Sequence, residues 1–464
     1  MTEPPVRSHA GLLVAACLAM LAIQVDFFSL NLALPSIARD LGTTTTDLQW
    51  AISAQLIAIA AVLIPSGRIG DIFGRRRLFL AGAGLFALAS LGCGLSSTPE
   101  FLVSMRVVQG IGAGILMPLT VAVVASAYAD EHARGRAIGL VYGVGAVGAA
   151  AGPFIGGILT EQFGWEWVFF FNVPIALGAL AVGLSGVPDS RDDTAPRRVD
   201  VLGVVLVTSG LIAVSYAFDR AGAWGWDSGR FLGLLVGGIA LLGVFVLAET
   251  RVRAPLVDLG LFRNRSFVVV MLSGWVANSG FIIAIFSATV FLQQVRGLSP
   301  GEAGVVFLAP SVALAFAGPL SGRLAERLLP EVIGALAVLV GGAGLLVQSI
   351  DMTVWITFVL GIGVMGLGFG LGWSYASVGT EAVVPTREAG EASGVTLTVV
   401  IGGAGVLLVL AATAIEQLSS GSHPTTAALE DVCRVTAAAA LMAGGLLLAL
   451  RRRSVAAVTM PEPG

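Results

Sequence analysis

Lysine is absent from the 464 residues, and all 26 basic side chains are arginine. A phosphate-binding loop of the kind that closes on a lysine is therefore excluded; we read the arginine-only usage itself as coding bias. Cysteine is scarce: Cys17, Cys93 and Cys433 are scattered, with no CxxC spacing, which argues against a disulfide framework or a thiolate metal site. His9, His132 and His423 stand singly in polar segments and read as surface histidines. No Ser/His/Asp or Cys/His set suggests nucleophilic catalysis, and no GxGxxG opens a helix after a strand. Charge as a whole is sparse, at 12% of residues, and the net charge of -3 points to no partner and gives no basic surface for nucleic acid.

Apolar residues dominate instead, at 56%, with a mean hydropathy of +0.91, far from the profile of a soluble domain. Crossing the roughly 30 Å hydrocarbon layer takes about 20 apolar residues per helix, and such runs recur from Gly11 to Leu450. They are long, continuous and rich in Ala, Leu and Gly, unlike the alternating strands of about ten residues in a membrane barrel. The first run lacks a small-residue cleavage site and ends in Asn31, Pro35 and Arg39, so it is expected to be retained as a span. The expected spans are roughly 11–35, 48–66, 78–96, 101–127, 137–160, 167–187, 201–218, 231–248, 267–292, 303–321, 332–350, 353–375, 393–415 and 433–450, about fourteen in all. The fold class is thus all-α and integral to the membrane.

Arginine counting orients the spans, because loops on the cytoplasmic side keep positive charge. Arg75, Arg76, Arg77, Arg134, Arg136 and most later loop arginines, through Arg451 to Arg453, fall on one side of this map; the other holds only Arg39, Arg220, Arg230, Arg296 and Arg434. Both termini are therefore expected in the cytoplasm, in the inner (plasma) membrane. An internal echo, "IPSGRIGDIFGRRR" after the second span and "GPLSGRLAERLLPE" after the tenth, implies two related halves. The expected organisation is a six-helix bundle over 1–187, a linker with two extra spans over 188–265, a second six-helix bundle over 266–451 and a tail over 452–464. Parallel repeats of this kind usually place a transport site between the halves.

Particular residues then stand out. Asp26 lies within "LAIQVDFFSLNLALP", and Arg106 lies within "LVSMRVVQGIGAG". A charge inside a span is costly and needs a partner. At 1.5 Å per residue, Arg106 lies about 9 Å below its helix end and Asp26 about 13 Å below Pro35, so the two can meet; separate satisfaction by backbone and water is the alternative. Gly148, Gly152 and Gly156 recur every four residues, making a smooth stripe for close helix approach, and Pro153 permits a bend beside them. Asp219, Glu302, Asp351, Glu381 and Glu416 fall near span ends, so Asp26 is the one acid placed clearly at mid-membrane.

Gly67, Ile69, Gly70, Asp71, Gly74, Arg75 and Arg76 resemble the loop signature of the major facilitator superfamily; a plain positive-inside anchor is the alternative. An acid at a helix end with arginines in a short turn can hold two bundles by charge pairing, and Asp71 is expected near the start of the span at Ala392 to Gly394. "LVSMRVVQGIGAG" is similar to the superfamily's helix-four signature, in which the arginine is associated with proton movement. "GLVYGVGAVGAAAGPFIGG", carrying Gly139, Gly148, Gly152, Pro153, Gly156 and Gly157, resembles its helix-five antiporter signature. "DFFSLNLALP", "WEWVFFFNVP" and "PLVDLGLFRNRSF" resemble the fourteen-helix drug:proton antiporters, with departures at Phe28 and Glu166, where relatives usually carry Thr and Arg.

The resemblance implies the major facilitator fold, two six-helix bundles plus two inserted helices, and a proton-coupled exporter of hydrophobic or amphiphilic compounds. In that reading Asp26 and Arg106 carry proton coupling: burial favours the neutral carboxyl and a nearby guanidinium favours the carboxylate, so the balance can switch as the cavity opens to either side. The binding pocket is expected near the midplane, mostly apolar with a few polar handles. Its candidate lining is Phe27, Asn31, Gln55, Gln109, Met117, Trp275, Asn278, Trp373 and Tyr375. No metal or organic cofactor is expected; the proton is the coupling ion, and the partners are a small substrate and the lipid bilayer around a monomer. A lipid exporter or a proton-independent facilitator is the alternative, and a membrane-embedded enzyme or sensor is a more distant one.

Overall fold

The computed structural model of the chain describes residues 9–128, 130–190, 200–252, 257, 259–325, 327–384, 389–419 and 424–458. All regular structure among them is helical. The first half carries α1 (His9–Asp40), α2 (Trp50–Phe73), α3 (Arg75–Gly94), α4 (Pro99–Ala127), α5 (Glu131–Gln162) and α6 (Glu166–Gly186). Then come α7 (Val201–Trp224) and α8 (Gly229–Glu249). The remainder is α9 (Arg265–Val290, prolonged by a π turn at Phe291–Val295), α10 (Pro300–Val306 and Leu308–Ala325), α11 (Pro330–Gln348), α12 (Trp355–Val383), α13 (Ala389–Leu418) and α14 (Thr426–Val458).

Twelve described helices are long and apolar enough to cross a membrane, and the bent pair forming α10 makes thirteen. The chain is a multi-pass membrane protein. The expected second span, roughly 48–66, falls on α2, a continuous helix of 24 residues. The break in α10 has a chemical cause: Pro310 has no N–H for the carbonyl four residues back, at Val306, where the first segment ends. Pro174 does the same to Phe170 within α6, which breaks between Phe170 and Asn172.

The chain divides into two compact units, one comprising Met1–Ala217, Leu232–Leu256 and Ser299–Gly304, the other Phe218–Phe231, Val257–Leu298 and Val305–Gly464. Glycines set how closely helices approach in each, since a side chain at a helix crossing would hold the backbones apart. In the first unit, a Cβ on Gly110 of α4 would lie 2.6 Å from the Gln55 carbonyl oxygen of α2, and one on Gly112 would lie 2.8 Å from the Phe86 nitrogen of α3. Helix α4 is thus pressed against α2 on one side and α3 on the other. The stripe on α5 packs against α1: Gly148 faces Leu21, Gly152 faces Val25 and Phe28, and Gly156 faces Ser29. Helices α7 and α8 meet where Gly210 faces Leu242 and Gly238 faces Val214.

In the second unit, Gly341 and Gly344 of α11 cross Gly368 and Met365 of α12 backbone to backbone. Beside this crossing, Ala317, Ile333, Ala337, Leu371 and Tyr375 form a buried cluster.

Candidate functional site

The glycine contacts of α4 decide where its polar residues go. With Gly110 against Gln55, the side chains of Gln109, beside it, and Arg106, one turn earlier, are held inside the first unit instead of facing lipid. Arg106 is 1% exposed and Asp26 is fully buried, and they form an ion pair with Arg106 Nη1 2.8 Å from Asp26 Oδ2.

A buried pair is tolerable only when the remaining lone pairs and protons are also satisfied. Here they are. Asp26 Oδ2 accepts from Gln55 Nε2 at 2.8 Å as well as from Arg106. Its Oδ1 accepts from Gln109 Nε2 at 2.9 Å and Asn172 Nδ2 at 3.0 Å. Arg106 Nε donates to the Ala51 carbonyl at 3.3 Å, Nη1 donates also to Gln109 Oε1 at 2.6 Å, and Nη2 donates to Gln55 Oε1. The ring of Phe169 lies 5.6 Å from the guanidinium carbon. Gln109 Nε2 continues to Ser90 Oγ at 2.8 Å, and Cys93 Sγ reaches Gln109 Oε1 at 3.7 Å.

Four donors therefore surround the carboxylate, two per oxygen, from α2, α4 and α6. A carboxylate is an acceptor only, whereas a protonated acid also donates. This arrangement is complementary to the ionised form of Asp26, and a proton can be accommodated only by rearranging at least one of the four.

The other sequence candidates are distributed as follows. In the first unit Phe27 is half-buried and packs edge-on to Phe28, Met117 is buried, and Asn31 is buried with its Oδ1 unpartnered. Gln55 and Gln109, expected on the pocket wall, have their polar atoms engaged by the ion pair. In the second unit Asn278 Nδ2 donates to the Val400 carbonyl at 3.0 Å, and Trp275 packs against Gly403 with its Nε1 unpartnered. Trp373 is half-buried, and Tyr375, 1% exposed, is a core residue of the cluster described above.

In the loop signature, Gly67 has open space around it and Gly70 faces Leu119. Gly74 ends α2 at φ +110°, a conformation side chains disfavour. The Arg75 N–H donates to the Ser190 carbonyl at 2.9 Å, and Arg76 Nη2 donates to the Leu184 carbonyl near the C-terminal end of α6, where cations are favoured. The expected approach of Asp71 to the start of α13 lies outside the described residues. In the helix-five signature, Gly148, Gly152 and Gly156 carry the contact with α1, and Gly157 faces Pro300. Pro153 is buried with its carbonyl toward Gly304, and Gly139 has no neighbour within 4 Å of where a Cβ would be.

Sequence reasoning did not assign Asn172, Ser90 or the Ala51 carbonyl. For Asn172 a signal existed: it is the polar residue that follows "VFFF" in an otherwise apolar span. Its charge-free amide gave no reason to pair it with Asp26, 146 positions away.

Comparison with known proteins agrees with this architecture. A solved structure of the peptide transporter POT in complex with sulfate superposes with a TM-score of 0.68, covering 96% of this chain and 94% of that one at 16% identity, which speaks for the fold. The puromycin resistance protein of Streptomyces alboniger is 35% identical, covering 96% of this chain and 90% of its own length. The tetracenomycin C resistance and export protein of Streptomyces glaucescens is 33% identical over 82% of this chain and 71% of its own. The multidrug efflux pump LfrA of Mycolicibacterium smegmatis is 33% identical over 86% and 79%. The family model of the Major Facilitator Superfamily matches residues 16–409. Fold, relatives and family match agree: the chain belongs to the Major Facilitator Superfamily and is a membrane transporter, not an enzyme.

Proposed function

We propose that this transporter exports small hydrophobic or amphiphilic organic compounds from the cell in exchange for protons, by alternating access, with both termini in the cytoplasm of a cell whose inner (plasma) membrane it spans. The observation that carries the reading is the buried Asp26–Arg106 pair, because an ionisable group inside a span is functional by default and this one is fully coordinated in its charged form. The relatives named for puromycin resistance, tetracenomycin C export and multidrug efflux support the cargo class and the direction.

In this reading a proton taken up from outside neutralises Asp26 and loosens its hold on Arg106. Release of that proton to the cytoplasm re-forms the pair, and each charge moved draws on about 2.3 kcal/mol per 100 mV of membrane potential, plus any pH difference. A ligand shifts such an equilibrium only through its different affinities for the two states, so substrate and proton need to favour opposite ones.

The test is an efflux assay in cells loaded with puromycin or an amphiphilic dye, with and without a protonophore. Extrusion that depends on the chain and stops with the protonophore is expected. Extrusion unchanged by the protonophore would identify a facilitator, and loss of lipid rather than drug asymmetry would identify a lipid exporter.

A further inference from the structure

Three amides touch the buried pair, and they are not equivalent. Gln55 donates through Nε2 to Asp26 while its Oε1 accepts from Arg106, and Gln109 does the same while also donating to Ser90. Turning either amide over would aim N–H groups at the guanidinium and oxygen at the carboxylate, so both are locked by the arginine. Asn172 makes no such contact. Its Nδ2 donates to Asp26 Oδ1 at 3.0 Å and, weakly, to the Val168 carbonyl at 3.3 Å, while its Oδ1 is buried with no hydrogen-bond partner. An acceptor left idle in a fully buried side chain costs free energy and calls for a reason.

We propose that Asn172 is a rotor that follows the protonation state of Asp26, a positioning residue within the proton-exchange reading above, on which it rests. With Asp26 ionised, Nδ2 faces Oδ1 of the carboxylate. When a proton binds Oδ1, the amide turns by half a revolution about its Cβ–Cγ bond, and its oxygen accepts from the new carboxyl O–H. The proton leaves by the reverse turn; the carboxyl O–H is the one covalent bond made and broken, and the weak Nδ2 bond to the Val168 carbonyl is given up in the turned state.

Oδ1 is the oxygen to protonate because only neutral amides face it; Oδ2 is held by the arginine. The groups facing Asp26 are Arg106 and Gln109 from α4, Gln55 from α2 and Asn172 from α6, with the ring of Phe169 from α6 lying against the guanidinium. Ser90 and Cys93 of α3 stand behind Gln109, and the glycine stripe of α5 packs on the same turn of α1. Arg106 stays charged throughout, so the amide that it does not touch is the one able to exchange donor for acceptor.

The test is pH-difference infrared spectroscopy on the purified full-length protein, with side-chain-labelled asparagine, for wild type, Asn172→Leu, Asn172→Thr and Asp26→Asn. In wild type, acidification is expected to produce a carboxyl carbonyl band together with a labelled-amide shift of the same midpoint. In Asn172→Leu the amide shift should vanish and the carboxyl band should move to higher wavenumber, because the O–H loses its acceptor. Asn172→Thr, whose hydroxyl can donate or accept without turning a side-chain amide, should return the carboxyl band toward its wild-type position.

An amide signal in wild type that ignores pH, or a carboxyl band unmoved in Asn172→Leu, overturns the rotor while leaving Asp26 as the coupling group. If wild type and Asp26→Asn show the same set of carboxyl bands, so that none belongs to Asp26, that underlying reading falls and the rotor with it. Should the leucine variant not fold, the wild-type amide signal decides alone.

Discussion

Arg106 and Asp26 are 80 positions apart in the chain and 2.8 Å apart in the protein, each held by amides that touch the other. The pair is a closed electrostatic unit: Gln55 and Gln109 each bridge cation and anion, so loss of any one member leaves unpaired groups with no water to turn to.

Removing one charge therefore differs from removing both. Arg106→Met strands a buried carboxylate and is expected to cost about 3–5 kcal/mol, while the double variant Asp26→Asn/Arg106→Met should recover a substantial part of that loss. Unfolding of the detergent-solubilised proteins by heat or denaturant checks this. Equal destabilisation of the single and double variants would show that the pair's charges are not what the surrounding amides hold.

Close packing of α1 on α5 yields a second expectation. A Cβ on Gly156 would run into the backbone of Ser29, one turn from Asp26, whereas one at Gly139 meets nothing within 4 Å. Gly156→Val should lower stability by about 1–3 kcal/mol through overpacking and displace the turn that carries Asp26. Gly139→Val should stay within about 0.5 kcal/mol. Thermal unfolding of the two variants side by side decides it, although both positions belong to the same sequence signature.

Outside the spans, Asp351 accepts from Thr353 Oγ1 at 2.5 Å and Thr353 N at 2.8 Å, and these bonds, with help from Arg296, hold its carboxyl below the usual range. A depressed value means that the stabilisation of the turn between α11 and α12 is complete above the ordinary carboxylate range and is lost as pH falls through the lowered one. Thr353→Ala should move that loss toward higher pH. Hydrogen exchange at the amides of residues 351 to 354 across an acid titration measures it; an identical titration in the variant would contradict the assignment.

Much of the site was legible because charge in an apolar run is conspicuous. Asp26 and Arg106 each announce a partner, and the fixed rise of a helix places them at similar depth. The stripe Gly148, Gly152 and Gly156 announced a close helix neighbour, but spacing alone carries no identity for that neighbour, which is the turn bearing Asp26. Gln55 and Gln109 looked like handles for a substrate because the satisfaction of a buried pair involves more groups than the two charges, and a sequence does not reveal which amides complete it. Asn172 was missed for a related reason: an asparagine in a span can satisfy itself on the carbonyl four residues back, as it partly does on Val168. In the count of spans, the break of α10 follows from Pro310, which the hydropathy reading passes over.

The most direct test of proton exchange is proton release from the purified transporter, followed by a pH indicator in weak buffer while an amphiphilic drug panel is titrated. Wild type is expected to release protons with at least one compound, and Asp26→Asn to bind that compound while releasing none. Undiminished release from Asp26→Asn would contradict the account.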